Sequence, residues 1–323
     1  MSLIEDAARR LEELRRAGVE LPDEALASPK TARAGSDTPL PEAVVAAMES
    51  KRTESGLLGP RAIHADGAIA ANRTSARSPV REAHLNFEKL RMLGFVTPDF
   101  PQSQMADEFR VIKRPVIRNA VGKGDERVKH GNLVMVTSAL PGEGKTFTSI
   151  NLAMSIAMEY DSRVLLVDGD VAHPSMPSML GTPHAPGLLD VLTSDDIDVA
   201  DALVKTNVER LTLLPAGSRQ RRSTELLASE QMAGLLRELS SRYADRIIVF
   251  DSPPLLATTE ARVLAAQMGQ IIMVVAAGAT THHAVQQALA TVENCDIVLM
   301  LLNKASRTDV GTYYGYYGYE GTG

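Results

Sequence analysis

Leu133-Val134-Met135-Val136-Thr137-Ser138-Ala139-Leu140-Pro141-Gly142-Glu143-Gly144-Lys145-Thr146 is the stretch that decides the fold. Residues 133–137 are an apolar, strand-type run. A turn rich in glycine follows, and from Lys145 to Tyr160 the pattern is helical. Outward from this unit the alternation repeats. Further apolar runs lie at 164–167, 211–214, 247–250, 271–276 and 297–302, with helical stretches at 225–243, 259–268 and 281–293 between the later ones and another at 107–113 before the first. Apolar strands without polar alternation, separated by helices, predict an α/β fold: a doubly wound, mostly parallel sheet with helices on both faces.

The ends of the chain differ from this middle. Residues 1–20 read as an amphipathic helix, with Ser2 and Glu5 at capping-box spacing and Ile4, Ala8, Leu11 and Leu14 near helical period. Such a helix either packs on its own domain or docks on a partner. Residues 21–86, rich in Ser, Thr, Ala, Gly, Pro and Arg, read as a largely disordered linker. The ordered domain is expected over 87–304 and a flexible tail over 305–323. Five of the seven tyrosines (Tyr313, Tyr314, Tyr316, Tyr317 and Tyr319) fall in the last eleven residues, interspersed with glycines.

Composition excludes several classes. Among 323 residues, 44% are apolar and 23% charged, which suits a globular chain. The longest apolar run, 271–279, is about half of a membrane span, and the N-terminus has no secretory pattern. The single cysteine, Cys295, excludes an internal disulfide and a cysteine-rich metal site. A net charge of −6 argues against generic binding to nucleic acid. The expectation is a cytoplasmic protein.

The turn carries the chemistry. Residues 139–146 match the phosphate-binding Walker A loop, G-x-x-x-x-G-K-[ST], with Ala139 in place of the first glycine. Pro141, Gly142, Glu143, Gly144, Lys145, Thr146 and Phe147 are therefore the expected nucleotide-binding residues. Backbone N–H groups turn inward around phosphate oxygens, and the helix N-terminus adds its positive end. Lys145 is expected on the β- and γ-phosphates and Thr146 on Mg²⁺. Asp168 and Asp170 follow the run at 164–167, and Asp251 follows the run at 247–250. Ligands of open α/β sheets bind outside the carboxyl ends of strands. All three acids are therefore expected to converge on the phosphates, with Asp251 as the Walker B acid.

These three motifs and the terminal tyrosines resemble the bacterial tyrosine kinases of capsule and exopolysaccharide synthesis, P-loop ATPases unrelated to eukaryotic protein kinases. The resemblance covers about two-thirds of the chain, and the N-terminal helix with residues 94–109 looks like the exosortase-associated subgroup. It implies ATP and Mg²⁺ as cofactors and autophosphorylation of the tail between neighbouring subunits of a homo-oligomer, such as a ring. It makes Lys145, Asp168, Asp170 and Asp251 catalytic and Tyr313, Tyr314, Tyr316, Tyr317 and Tyr319 the acceptors. The metal set becomes Thr146, Asp168, Asp170 and Asp251. Either Asp168 or Asp170 accepts or orients the tyrosine proton. Asp107, Arg110 and Lys113 resemble the family's Glu-x-x-Arg-x-x-Arg subunit-interface motif. Two departures stand out. Ala172 and His173 fill the positions after the second acid where arginine is usual, and Arg222-Ser223 replace a common Asn-Pro. The resemblance also implies a membrane polysaccharide co-polymerase as activator, recruiting the chain to the inner face of the cell membrane, and a cognate tyrosine phosphatase.

Two other readings remain. A MinD/ParA-type ATPase switch carries an extra lysine early in the loop, where this chain has Leu140 and Pro141, and has no use for the tyrosines. A catalytically idle adaptor would sense ATP and present the tail to an export complex. Among smaller signals, Arg219, Arg221 and Arg222 form a basic loop, read as a solvated surface or, alternatively, as a contact for a phosphorylated tail.

Overall fold

The computed structural model describes residues 81–122, 128–183, 185–194 and 196–305. The helix expected over residues 1–20, nearly all of the linker and all five tail tyrosines lie outside the described residues.

Among the described residues, eight strands form one sheet: β1 (Arg81–Ala83), β2 (Leu133–Ser138), β3 (Arg163–Asp168), β4 (Val204–Thr206), β5 (Leu211–Leu214), β6 (Arg246–Asp251), β7 (Gln270–Ala276) and β8 (Val298–Asn303). Their order is β1-β4-β5-β3-β6-β2-β7-β8. Every neighbouring pair is parallel except β4 with β5. The sheet is doubly wound and of the P-loop NTPase type.

The unbroken apolar runs have a direct cause. Successive side chains of a strand point to opposite faces, and both faces here are covered. Leu133 and Met135 of β2, Leu165 and Val167 of β3, and Ile248 and Phe250 of β6 enter one hydrophobic layer. Val134 and Val136, Val164 and Leu166, and Ile247 and Val249 enter the other. Helices Glu230–Arg242, Thr259–Ala265 and His282–Ala290 supply apolar residues to the first layer, and Gln104–Val121 and Lys145–Ala157 to the second.

Several boundaries differ from the sequence reading. The sheet begins at Arg81, ahead of residue 87, because the three residues of β1 pair with β4 and Leu85 is buried. The stretch 225–243 is two helices, Ser223–Leu227 and Glu230–Arg242, since Ser229 caps the second by accepting a bond from the Met232 amide. The phosphate-loop helix stops at Ala157, short of Tyr160.

Helix Gln104–Val121 carries the three residues expected at a subunit interface in different surroundings. Asp107 is exposed and Arg110 half-buried; the two are bonded to each other, and Arg110 also donates to the Pro101 carbonyl at 2.6 Å. Lys113 is not at the surface. It is only 4% exposed, its ammonium donates to the Ser155 carbonyl at 2.6 Å, and it pairs with Glu159 at 2.7 Å. Its partners are thus at the C-terminal end of the phosphate-loop helix, where a cation also meets the negative end of the helix dipole. Lys113 ties two helices of its own chain together.

Candidate active site

The site lies at the carboxyl ends of β2, β3 and β6. Parallel register sets Asp168 directly beside Asp251, the last residues of β3 and β6. The end of β2 is tied to the β6 turn by Thr137 Oγ1, which donates to the Pro253 carbonyl at 2.7 Å, and by the Leu255 amide on the Ser138 carbonyl at 2.8 Å.

Gly144 opens the helix that follows β2 and offers no side-chain cap, so the first-turn amides of the helix face outward without a partner from a cap. Its φ of +101° is a left-handed conformation that glycine adopts readily. A Cβ there would meet Asn303 Nδ2 at 2.1 Å. Lys145, the first helical residue, is buried, with its ammonium 3.8 Å from Asp170 Oδ2. Thr146 Oγ1 donates to Asp251 Oδ2 at 2.6 Å and accepts from Ser175 Oγ at 3.0 Å. Ser149 Oγ lies 3.2 Å from Asp251 Oδ1. The structure therefore brings together Lys145, Thr146, Asp168, Asp170 and Asp251.

The acids differ in environment. Asp168 is fully buried, and both carboxylate oxygens lack a hydrogen-bond partner. Burial first, then the charges of Asp251 and Asp170, push its pKa well above the ordinary carboxylate value; the Met176 and Asp170 amides oppose this from longer range. Burial also pushes Asp251 up to about 6, against the pull of the Thr146 hydrogen bond and Lys145. Asp170 is 8% exposed and is the acid paired with Lys145.

These features fit a magnesium–nucleotide complex. An uncapped helix N-terminus accepts phosphate, and two adjacent buried carboxylates, one without any partner, gain from a cation beside them. Thr146, Asp251, Asp168 and Asp170 are the residues that would hold Mg²⁺, which there supplies charge neutralisation at the phosphates. Among the described residues no three His, Cys, Asp or Glu side chains are arranged to hold a metal by themselves.

Two expected binding residues serve otherwise through their side chains. Phe147 stacks on Phe95, with ring centroids 5.1 Å apart, in the hydrophobic layer, leaving its backbone for phosphate. Glu143 is buried, accepting from the Leu140 amide at 2.6 Å and from the Thr280 hydroxyl. Sequence reasoning missed the outer brace of this loop. Asn303 Nδ2 donates to the Glu143 carbonyl at 2.8 Å, and Lys304 Nζ to the Gly142 carbonyl at 2.7 Å. Lys304 sits at φ +58°, unusual for a residue with a side chain. The Asn-Lys pair after a strand was the only sequence signal available. Asn303→Ala is expected to weaken ATP binding about 10-fold, by loosening the loop. Titration with a fluorescent ATP analogue checks it, and unchanged affinity would remove Asn303 from the binding machinery.

A family model described as "AAA domain" matches residues 132–302, more than half of the chain. The chain belongs to the AAA domain family. Its relatives there are bacterial tyrosine kinases. Tyrosine-protein kinase wzc of Salmonella typhimurium is 33% identical over 192 residues, covering 58% of this chain and 26% of that protein. Tyrosine-protein kinase YwqD of Bacillus subtilis is 29% identical over 219 residues, covering 68% of this chain and 88% of that protein. The crystal structure of the VpsO kinase domain superposes with a TM-score of 0.52 at 30% identity, covering 63% of this chain and all of that one. The chain thus spans about a quarter of the length of wzc and most of YwqD. Among the described residues no helix is long and apolar enough to cross a membrane.

Proposed function

We propose that the chain is an ATP-dependent tyrosine autokinase that phosphorylates Tyr313, Tyr314, Tyr316, Tyr317 and Tyr319 of a neighbouring copy in an oligomer. Through this it regulates exopolysaccharide or capsule polymerisation and export. The observation that carries the reading is the apposition of an uncapped, lysine-bearing phosphate loop to three buried carboxylates at or just past strand ends, of which Asp170 is the least buried. Lys145 and the loop amides hold the triphosphate and stabilise charge that develops on the transferred group. Asp168 and Asp251 balance charge beneath it. Asp170, reachable from outside, is the acid that orients the incoming phenol and takes its proton. The phenolic oxygen bonds to the γ-phosphorus as the bond to the β-phosphate oxygen breaks, and ADP leaves. A phenol has a pKa near 10, so a carboxylate within reach assists as the new bond forms.

The supporting partners are those implied by the resemblance: a membrane co-polymerase that recruits and activates the chain at the inner face of the membrane, and a phosphatase that resets the tail. Asp107, exposed, and Arg110, half-buried, on helix Gln104–Val121 are the proposed subunit-contact residues, with Lys113 of the same motif anchoring that helix from beneath.

The test is incubation of the full chain with γ-labelled ATP and Mg²⁺, followed by phosphotyrosine mapping. A kinase labels its tail, a switch ATPase releases phosphate without label, and an idle adaptor does neither. Transfer between copies is checked by mixing Lys145→Met chain with a chain whose five tail tyrosines are phenylalanine. Label on the Lys145→Met tail supports transfer in trans; an unlabelled tail in that mixture, where wild type labels itself, refutes it.

A further inference from the structure

The basic loop left over from the sequence has a defined place beside the site. It leaves β5 through a turn that is fixed on all sides. The Leu188 and Leu189 amides donate to the Pro215 and Ala216 carbonyls at 2.8 and 2.9 Å. Asp190 Oδ2 accepts from the Gly187 amide at 2.8 Å and from the Ser218 amide at 3.0 Å. Gly217 has φ +88°, and a Cβ on it would lie 2.3 Å from the same Asp190 oxygen. Arg219, Arg221 and Arg222 project from this turn into solvent. Arg219 Nη2 donates to the Ala172 carbonyl at 3.0 Å, and Ala172 stands two residues beyond Asp170, the acid facing Lys145. The braced turn therefore brings Arg219 to the rim of the acidic pocket and carries Arg221 and Arg222, both exposed, two and three residues further along the same loop.

No ion pair holds these three side chains, although Arg222 lies close enough to Glu225 to favour the charged form of that acid. Arg219, Arg221 and Arg222 have no carboxylate within 4.0 Å among the described residues, as is also true of Arg81, Arg114, Arg118, Arg237 and Arg262; what sets the three apart is that they stand together on one turn. Glu225, three residues on from Arg222, takes its hydrogen bond from Thr224. Arginine is the side chain suited to phosphate, since its fork of donors matches phosphate oxygens in pairs.

We infer that the Arg219–Arg221–Arg222 turn is a phosphotyrosine-binding rim, which holds already modified tyrosines of a second copy's tail while a further tyrosine enters the pocket. The inference rests on reading the site as a tail kinase. Charge complementarity selects the occupant. The tail carries Asp309 and Glu320, and each phosphate adds about −1.5 to −2 charge. Without a cationic rim, a partly modified tail would be repelled by Asp168, Asp170 and Asp251. Spacing allows simultaneous contact, because Tyr313 and Tyr319 are at most about 20 Å apart along an extended chain. The chain's net charge of −6 disfavours the other anionic partner, a membrane surface.

The test uses phosphatase-treated full chain without nucleotide and two synthetic peptides of residues 306–323, one phosphorylated at Tyr316 and one unmodified. Fluorescence anisotropy is expected to show the phosphopeptide bound about 10-fold more tightly by wild type. The R219Q/R221Q/R222Q chain is expected to lose that preference, and triple lysine replacement to keep only part of it. R221Q/R222Q retains the Arg219–Ala172 bond, guards against a folding defect, and should give an intermediate preference. Equal binding of both peptides by wild type, or a preference that survives the triple glutamine change, overturns the inference. So does loss, in that variant, of binding to phosphatidylglycerol vesicles alone. Because the peptide arrives already phosphorylated, this result is independent of self-labelling, whose absence would instead defeat the kinase reading.

Discussion

Lys145→Met is expected to lower phosphate transfer to the tail about 100- to 1,000-fold, with the chain still folded. Lys145 is buried at the mouth of the loop, and its ammonium stands 3.8 Å from Asp170. Methionine keeps the length of the stem but removes the only charge that the side chain brings to the phosphates. The loss should fall mainly on kcat, because the loop amides and the helix N-terminus still grip the ground-state triphosphate, whereas charge on the transferred group grows only in the transition state. Arginine is not expected to rescue, since a planar fork does not replace a point charge on a flexible stem in a closed loop. Label incorporated per chain, measured across ATP concentrations, separates kcat from KM. A variant within about 3-fold of wild type would remove Lys145 from catalysis, and with it the assignment of the loop.

The parts of the fold that build this site were legible because they repeat simple physics. Strands β2, β3, β6 and β7 are buried on both faces, so their sequences are continuous apolar runs, and the acids that end β3 and β6 stand out against them. Short elements left no such trace. The helices Met176–Leu180, Leu188–Thr193 and Val199–Ala202 span four to six residues, less than two turns, too few for a period to show. Lys113 parts from its two motif neighbours for a geometric reason. Each three-residue step turns a helix by about 300°, so Asp107, Arg110 and Lys113 fan across about 120° of its circumference. The first two reach solvent while the third swings under the helix onto Ser155 and Glu159. The brace on the loop was illegible for another reason. Asn303 and Lys304 stand about 160 residues beyond Glu143 and Gly142, and only the return of β8 to the sheet, next to β7, brings them together.

Asp168→Asn is expected to abolish most activity and yet stabilise the nucleotide-free chain. Asp168 is buried beside Asp251 with no hydrogen bond to either oxygen, so its charge is uncompensated until a cation and phosphates arrive. Burial first, then the charges of Asp251 and Asp170, disfavour its ionised form. An asparagine amide buried at the same place still lacks partners, at about 1–3 kcal/mol, but carries no charge. The expected net result is a rise of a few degrees in melting temperature. The pH dependence has a definite sign. A carboxyl whose folded pKa is raised binds a proton in the native state that the unfolded chain has released, so stability falls as pH rises from the unfolded value towards the folded one. The variant lacks this loss. Its advantage over wild type should therefore be small near pH 4 and grow towards neutrality. Adding ATP and Mg²⁺ should reverse the order, because ligand binding stabilises wild type, while the variant has lost part of the charge that the metal needs. Parallel thermal melts from pH 4.5 to 7.5, with and without nucleotide, read all three effects. A variant that melts lower than wild type without nucleotide, or a difference that does not change with pH, would mean that Asp168 is already compensated in the resting chain. The electrostatic logic that makes this strand end a receptor for metal and phosphate would then fail.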